Sequence, residues 1–221
     1  MRRTRVGLVV SLGAASLLHT PLARAHEPLW GETPQTFAFG VIHPELRFAR
    51  GESRFSVQYA PKTTENLKLE VIQRGAGGAA DDIFLTQKRR TRATFGPDFK
   101  QMEALVVGTA INRPGFQLGY AFAHERLTDT IWASAVHTRT RSERMTELDA
   151  AYGYWLKRAR TPADHGFLIA LGGHHEALRA SSLTGVHTSL ILTKGPTQTR
   201  VGLLFPTKGP AQLRFGLEAL L

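Results

Sequence analysis

The amino-acid sequence predicts an all-β fold, an antiparallel up-and-down transmembrane β-barrel, and three observations support this class. Apolar and polar residues alternate along short segments from residue 36 to residue 221, as in strands whose two faces meet different surroundings. Turn residues punctuate these segments at regular intervals. After residue 25, the chain has no run of about 18–20 apolar residues, which a membrane-spanning helix needs. These features together indicate strands, packed as a barrel or a sandwich.

The first 25 residues have the layout of a secretory signal peptide. Residues 1–5 are basic, residues 6–18 are apolar, and Ala23, Arg24 and Ala25 form a small-x-small cleavage signal. The apolar run is too short to cross a bilayer as a helix. We therefore expect cleavage before His26 and an exported mature chain.

Composition narrows the class of partner and the source of stability. The chain has no cysteine, so an exported fold must be stable without disulfides. The formal net charge is +10, and removing the four arginines of the signal peptide lowers it to +6. The remaining basic residues are dispersed and no nucleic-acid recognition motif is present, which argues against nucleic acid as a partner. Basic clusters between strands are solvated loops or contacts for anionic groups, with outer-membrane lipids and the phosphates of lipopolysaccharide as the expected partners.

Alternation and turn chemistry delimit twelve strands. Turn-forming residues occupy 61–66, 112–114, 194–196 and 208–210. The predicted strands are 36–49, 54–60, 67–74, 83–92, 102–111, 115–123, 131–139, 146–157, 166–174, 185–193, 199–205 and 212–221. Twelve strands of about 10 residues each fit the chain with short loops, and ten would also fit.

The residue types on the two faces favour a membrane barrel. In the third strand, Leu67 and Leu69 share one face and Lys68 and Glu70 share the other. The polar face of most strands carries Gly, Ala, Ser and isolated charges, which suits a narrow lumen. Aromatic residues near strand ends suit an interfacial girdle; they are Phe37, Phe39, Tyr59, Tyr120, Tyr154 and Phe205. A soluble periplasmic β-sandwich that binds a ligand or a metal is the alternative with the same alternation.

Four segments, 26–34, 59–71, 199–206 and 213–218, carry a family resemblance. Together they are similar to a family of Gram-negative outer-membrane barrels named after the meta-pathway of phenol degradation and often described as transporters. The resemblance implies an outer-membrane barrel that lets small solutes through, hydrophobic or metal-related solutes among them. His43 and Pro44 depart from the family's usual first strand. Because proline in a strand belongs at an edge or a bulge, a start of this chain's first strand near Glu45 is the alternative to residue 36.

We interpret the chain as a passive, porin-like channel or transporter with no catalysis and no cofactor. Residues 26–35, with Pro28 and Pro34, are a candidate lumen plug, followed by a barrel over residues 36–221. Eight strands give a filled interior and roughly 16 an aqueous channel, so twelve is intermediate. The residues predicted to face the lumen are Arg47, Lys68, Glu70, Glu147, Asp149, Lys157, Arg214 and Glu218.

Two chemical alternatives remain open. His187 and Ser189 form an H-x-S pair on one strand face, which outer-membrane lipid hydrolases use. Such a pair needs an Asn, Gln or Glu on an adjacent strand to orient the imidazole; residues 200–204 opposite provide none, and Glu176 and Glu218 fit only by distant geometry. For a metal, the candidates are His26, whose α-amine and imidazole would suit Cu(II), with His174 and His187. The sequence has no histidine or cysteine spacing typical of a structural metal site.

Overall fold

The structure is a computed structural model that describes residues 32–49, 51–74, 82–140, 144–159, 164–178 and 181–221. The predicted signal peptide, His26 and residues 26–31 of the candidate plug lie outside the described residues. Every regular element in the described part of the chain is a β-strand. Among these residues, no helix is long and apolar enough to cross a membrane.

Twelve strands are present, which confirms the larger of the two predicted numbers. They are β1 (Ile42–Ala49), β2 (Glu52–Lys62), β3 (Glu65–Arg74), β4 (Asp82–Phe95), β5 (Phe99–Ala110), β6 (Gly115–Arg126), β7 (Asp129–Thr140), β8 (Arg144–Lys157), β9 (His165–Leu178), β10 (Ser182–Lys194), β11 (Thr197–Pro206) and β12 (Gln212–Ala219). Each predicted strand overlaps one of these elements, because period-two alternation and turn residues are local signals.

The strands form one closed barrel in which each strand pairs antiparallel with its neighbours in sequence. Closure joins β1 to β12, with Glu45 opposite Glu218 and Phe48 opposite Phe215. Ile42 and Leu221 also exchange two backbone hydrogen bonds, of 3.0 and 2.8 Å. The sheet therefore has no free edge, which a strand-built structure in hydrocarbon requires.

The two faces of the sheet are inverted relative to a soluble protein, as predicted. On β3, Leu67 and Leu69 are 38% and 44% exposed, whereas Lys68 and Glu70 are 5% and 4% exposed. Aliphatic and aromatic side chains cover the outer surface, and charged side chains line the interior. The sandwich alternative is wrong, since Leu69 and Phe215 lie on the outer surface of a single barrel and not between two sheets.

The first strand begins later than residue 36, the predicted start. It starts at Ile42, and residues 33–37 precede it as a buried segment without strand pairing. Within β1, Pro44 pairs with Val57 of β2, but the ladder to β12 begins one residue later, at Glu45. The proline ring has no N–H to donate, so it interrupts hydrogen bonding on the side of β1 that faces β12.

We call the end of the barrel that holds Val41 and Leu221 the terminal end, and the opposite one, at the β1–β2 turn, the distal end. The interior has two walls of different character. Charged and amide side chains cover β1–β4, β11 and β12, whereas an apolar cluster lies on β6–β10. That cluster consists of Ala123, Trp132, Ala151, Trp155, Leu168, Ala170 and Ile191. Its close packing fills that side of the lumen.

Candidate functional site

The lumen contains a segment of the chain itself, residues 32–37. Thr33 and Phe37 are only 1% and 2% exposed. Glu32 crosses the interior, because its backbone N–H donates to Ser134 Oγ on β7 at 3.0 Å while its carboxylate accepts from Lys68 Nζ on β3 at 2.5 Å. Lys88 Nζ on β4 lies 4.0 Å from the same carboxylate. Glu32 thus connects the two walls of the barrel.

Three further contacts hold this segment near the terminal end. The hydroxyl of Thr36 donates to the carbonyl oxygen of Thr63 at 2.7 Å, and the N–H of Phe37 donates to Asn66 Oδ1 at 3.1 Å. The ring of Phe37 packs edge-on against His43, with centroids 4.5 Å apart. We call residues 32–37 the luminal segment. Its polar backbone groups find partners on the barrel wall, as buried polar groups require.

A buried ionic network, the seam network, lies behind the luminal segment where β1 and β12 close the barrel. Arg200 of β11 is 0% exposed; it pairs with Glu45 of β1 and lies 3.2 Å from Glu218 of β12. Arg47 donates to Glu45 through two nitrogens, at 2.5 and 3.0 Å. His43 Nε2 lies 3.3 Å from Glu218 Oε2. Buried charges are tolerated here because each faces an opposite charge.

A second buried group joins three strands, β8–β10, which follow β11 around the barrel. His187 Nε2 of β10 lies 3.1 Å from Asp149 Oδ2 of β8, and His174 Nδ1 of β9 lies 3.5 Å from the same oxygen. His174 also lies 4.0 Å from Glu147 and 3.8 Å from Glu176. All three central side chains are nearly inaccessible to solvent.

Gly172 makes the contact between β8 and β10 feasible. A β-carbon at Gly172 would lie 2.5 Å from His187 Nε2 and 2.5 Å from the carbonyl oxygen of Ala150. The missing side chain leaves the space through which the imidazole of His187 crosses β9 to reach Asp149. Asp149 was not among the partners expected from the sequence, which were on an adjacent strand or were Glu176 and Glu218, because β9 separates β8 from β10. The alternation that put Asp149 and His187 on the inward face was the available signal.

The proposed catalytic pair does not face lipid. His187 and Ser189 are 1% and 4% exposed and belong to the inward face of β10. A lipid hydrolase needs its nucleophile within reach of a bilayer lipid. The outer surface of the barrel, where bilayer lipids would lie, is on the other side of the strand.

Between the luminal segment and the distal end lies a cavity that we call the distal vestibule. Its volume is about 30 Å³, which is enough to hold a water molecule. Its lining residues are Glu32, Arg47, Arg54, Glu70, Ile72, Arg74, Asp82, Phe84, Gln117, Val136, Thr138, Met145 and Glu147. Arg54 of β2, Glu147 of β8 and Arg214 of β12 also line one smaller cavity together. Charges of both signs therefore face each other across the vestibule.

Most residues predicted to face the lumen lie on the inward face. Lys68, Glu70, Asp149 and Glu218 are buried there, and Arg47, Glu147 and Arg214 line the vestibule cavities. The prediction that Lys157 faces the lumen is wrong, because this residue is exposed and pairs with Phe167 on the outer face. A bulge between Trp155 and Lys157 breaks the alternation at the end of β8.

The sequence prediction omitted several luminal residues, although the same alternation along the strands places them on the inward face. They include Glu45 and Arg200 of the seam network, together with His43, Arg54, Asp82 and Lys88. For metal binding, His26 lies outside the described residues. In the part of the chain that the structure describes, no group of three or more His, Asp or Glu side chains has an arrangement that could hold a metal ion.

Comparison with known proteins agrees with the fold. The barrel resembles a solved structure described as the KdgM porin in complex with disordered oligogalacturonate, with a TM-score of 0.57 and 10% identity over 81% of this chain and 98% of that one. It also resembles the NanC porin, with a TM-score of 0.54 and 8% identity over 81% of this chain and 100% of that one. No protein-family model and no curated protein matches the sequence. The resemblance to the phenol-degradation barrels stays a prediction.

Proposed function

We propose that this protein is a passive outer-membrane channel of a Gram-negative bacterium for small solutes, held closed by its own luminal segment. The observation that carries the proposal is the closed twelve-stranded barrel with an aliphatic outer surface and paired charges inside. Such a barrel satisfies every backbone group in hydrocarbon and leaves a polar interior for water and solutes. The export signal read from residues 1–25 fits the same location.

The charges of the lumen favour small neutral or zwitterionic solutes over polyanions. Arg47, Arg54 and Arg74 in the vestibule are balanced by carboxylates of Glu70, Asp82 and Glu147, among others. A lumen with one predominant sign would concentrate ions of the opposite sign, whereas a balanced one gives little selectivity. One porin of similar fold is described in complex with oligogalacturonate, a polyanion. Among the residues that the structure describes, the vestibule has no excess of cations that such a ligand would favour.

The luminal segment supports a closed resting state. Glu32 connects β7 with β3, and Phe37 packs against His43 at the terminal end. Together with the apolar cluster around Trp132 and Trp155, the segment leaves the vestibule as the open part of the lumen. Opening would then require the segment to leave its contacts with the wall.

Conductance in planar bilayers tests this proposal with two truncations of refolded protein. Deletion of residues 26–35 removes the crossing residue Glu32, and we expect higher conductance than for the chain starting at His26. Deletion of residues 26–31 keeps Glu32 and its contacts, and its conductance should stay near that of the chain starting at His26.

Equal conductance of the three proteins would contradict the plug. A folded barrel that never conducts, even without residues 26–35, would contradict the channel. Folding of each protein is checked by a heat-dependent shift in gel mobility. Liposome swelling with a neutral sugar, an amino acid and a dicarboxylate then tests the solute class, and fastest entry of the dicarboxylate would contradict a balanced lumen.

A further inference from the structure

The outer surface of the barrel has one polar patch that the channel does not use. At the distal end of β7 and β8, Arg139 lies directly opposite Arg144, and both are exposed. Like charges in directly opposite positions destabilise a sheet. Within the described residues, neither guanidinium has a carboxylate within 4.0 Å. In the sequence, Arg141, Ser142 and Glu143 lie between them and together carry no net charge.

Arginines at the other end of the barrel provide a contrast. Arg89 and Arg92 are also strongly exposed on the outer surface, but Arg89 lies 3.8 Å from Glu65 and Arg92 lies 3.9 Å from Glu103. These two arginines thus face carboxylates of neighbouring strands. Arg139 and Arg144 face no such carboxylate among the described residues and are therefore available to an external anion.

Two histidines extend the patch toward the apolar belt. His137 Nδ1 is 2.9 Å from Thr146 Oγ1, and His175 Nδ1 is 2.7 Å from Thr184 Oγ1. When the threonine hydroxyl donates to Nδ1, the proton of the neutral imidazole is on Nε2, which becomes a donor for an anionic oxygen. All four side chains belong to the outward face of β7–β10.

A groove continues from the histidines into the lipid-facing surface. It has a volume of about 270 Å³ and is lined mostly by apolar atoms, with Leu148, Ala150, Gly173, His175 and Thr184 around it. Gly173 forms its floor, and a β-carbon there would meet no atom within 4 Å. The groove is thus bordered by aliphatic surface on one side and by the polar patch on the other.

We propose that this surface binds the lipid A part of lipopolysaccharide, with a phosphate between Arg139 and Arg144 and an acyl chain in the groove at Gly173. Arginine recognises phosphate through paired hydrogen bonds. Arg144 and Leu148 are four residues apart on β8, about 13 Å at the rise of a strand. A phosphorylated disaccharide headgroup spans such a distance more readily than a glycerol phosphate, whose phosphate lies only a few bonds from its acyl esters.

Connections between strands are on average longer at the distal end than at the terminal end. Three of the five connections at the terminal end have two residues, although β8 and β9 there are separated by seven; five of the six connections at the distal end have three to seven residues, and β1 and β2 are joined by two. Outer-membrane barrels have short periplasmic turns and longer extracellular loops. The inference rests on the membrane location proposed above and does not depend on conductance.

Native mass spectrometry of the refolded full chain in detergent, titrated with purified lipid A, tests the proposal. The double variant Arg139→Gln/Arg144→Gln and, separately, Gly173→Leu should each lower the lipid-bound fraction at least fivefold. The matched controls are Arg89→Gln/Arg92→Gln and Thr109→Leu, which change the outer surface elsewhere and should bind like the unchanged protein. Because Gly173 has open space above it, Gly173→Leu is expected to fold, as checked by heat-dependent mobility.

Three results would overturn the assignment. They are undiminished binding in both test variants, an equal loss in the controls, and equally strong retention of phosphatidylglycerol at the same residues. The last result would show that a glycerophospholipid, and not lipid A, occupies the surface. Conductance measured on the same variants separates this result from failure of the channel proposal.

Discussion

The imidazole of His187 and the carboxylate of Asp149 lie 3.1 Å apart although a whole strand, β9, separates the strands that carry them. The contact passes over Gly172, where a β-carbon would collide with His187 Nε2 and with the backbone of β8. The missing side chain of Gly172 therefore allows side chains of β8 and β10 to contact each other inside the barrel.

Two adjacent glycines allow a matched test of this contact. Gly172→Ala should lower the free energy of unfolding by about 1–3 kcal/mol, because a backbone oxygen 2.5 Å from the new carbon cannot move cheaply. Gly173→Ala, on the opposite face with nothing within 4 Å, should change it by less than about 0.5 kcal/mol. Urea unfolding in lipid vesicles measures both. Equal effects of the two substitutions would show that the space over Gly172 is not required.

The seam network should depend on its central cation. Arg200→Met leaves Glu45 and Glu218 buried and facing each other, so we expect the free energy of unfolding to fall by about 3–5 kcal/mol. Arg89→Met, at an exposed ion pair, should cost less than about 1 kcal/mol. Adding Glu45→Gln and Glu218→Gln to Arg200→Met should recover part of the loss. No recovery would mean that packing, and not charge, dominates at this site.

The inverted faces predict a penalty for charge on the outer surface. Leu69 lies near the middle of β3 and is 44% exposed. In phospholipid vesicles, Leu69→Arg should destabilise the barrel by about 2–4 kcal/mol, as expected for arginine at the bilayer midplane. Thr64→Arg in the exposed β2–β3 turn is the control and should cost at most about 1 kcal/mol. If Leu69→Arg were tolerated as well as Thr64→Arg, this face would not contact hydrocarbon.

Glu32 should control how often the channel opens. Glu32→Gln removes the charge that pairs with Lys68 and Lys88, and a charge-assisted hydrogen bond is worth about 1.5–3 kcal/mol. The fraction of time spent open should therefore rise about tenfold or more in planar bilayers. Glu65→Gln, whose carboxylate faces Lys62 and Arg89 near the terminal end, is the control. An unchanged open fraction in Glu32→Gln would remove this residue from gating.

The strands and their faces were predictable because both depend on near neighbours in the sequence. The alternation of Leu67, Lys68 and Leu69 alone indicates which side chains face lipid and which face the lumen. Gly195 and Pro196 likewise indicate the turn after β10. The predicted face of Lys157 was wrong, because the bulge at the end of β8 inserts an extra residue that no local sequence signal marks. The start of β1 was also wrong, since residues 36–41 alternate as a strand would but lie inside the lumen or at its end.

Contacts across the lumen were beyond the reach of the sequence. Whether Glu32 meets Lys68 depends on the diameter of the barrel and on the path of the luminal segment, which many distant residues set together. The pairing of Asp149 with His187 depends on what is missing from β9 at Gly172. The outer patch combines the register that places Arg139 opposite Arg144 with a groove that starts on β8 and extends over β9 to β10. Such features arise from three-dimensional register and not from composition.

Pro44 and the seam have a consequence for how the protein assembles. The ladder between β1 and β12 has four paired positions, against thirteen between β9 and β10, and its partners are the most distant in the chain. Because a loop spanning nearly the whole polypeptide must close before these bonds form, we expect this pairing to cost the most entropy and to form last. Until it forms, Glu45, Arg200 and Glu218 have only partial compensation. We therefore expect insertion into the bilayer and closure of the barrel to be coupled, since an open barrel would leave unpaired backbone groups of β1 and β12 in hydrocarbon.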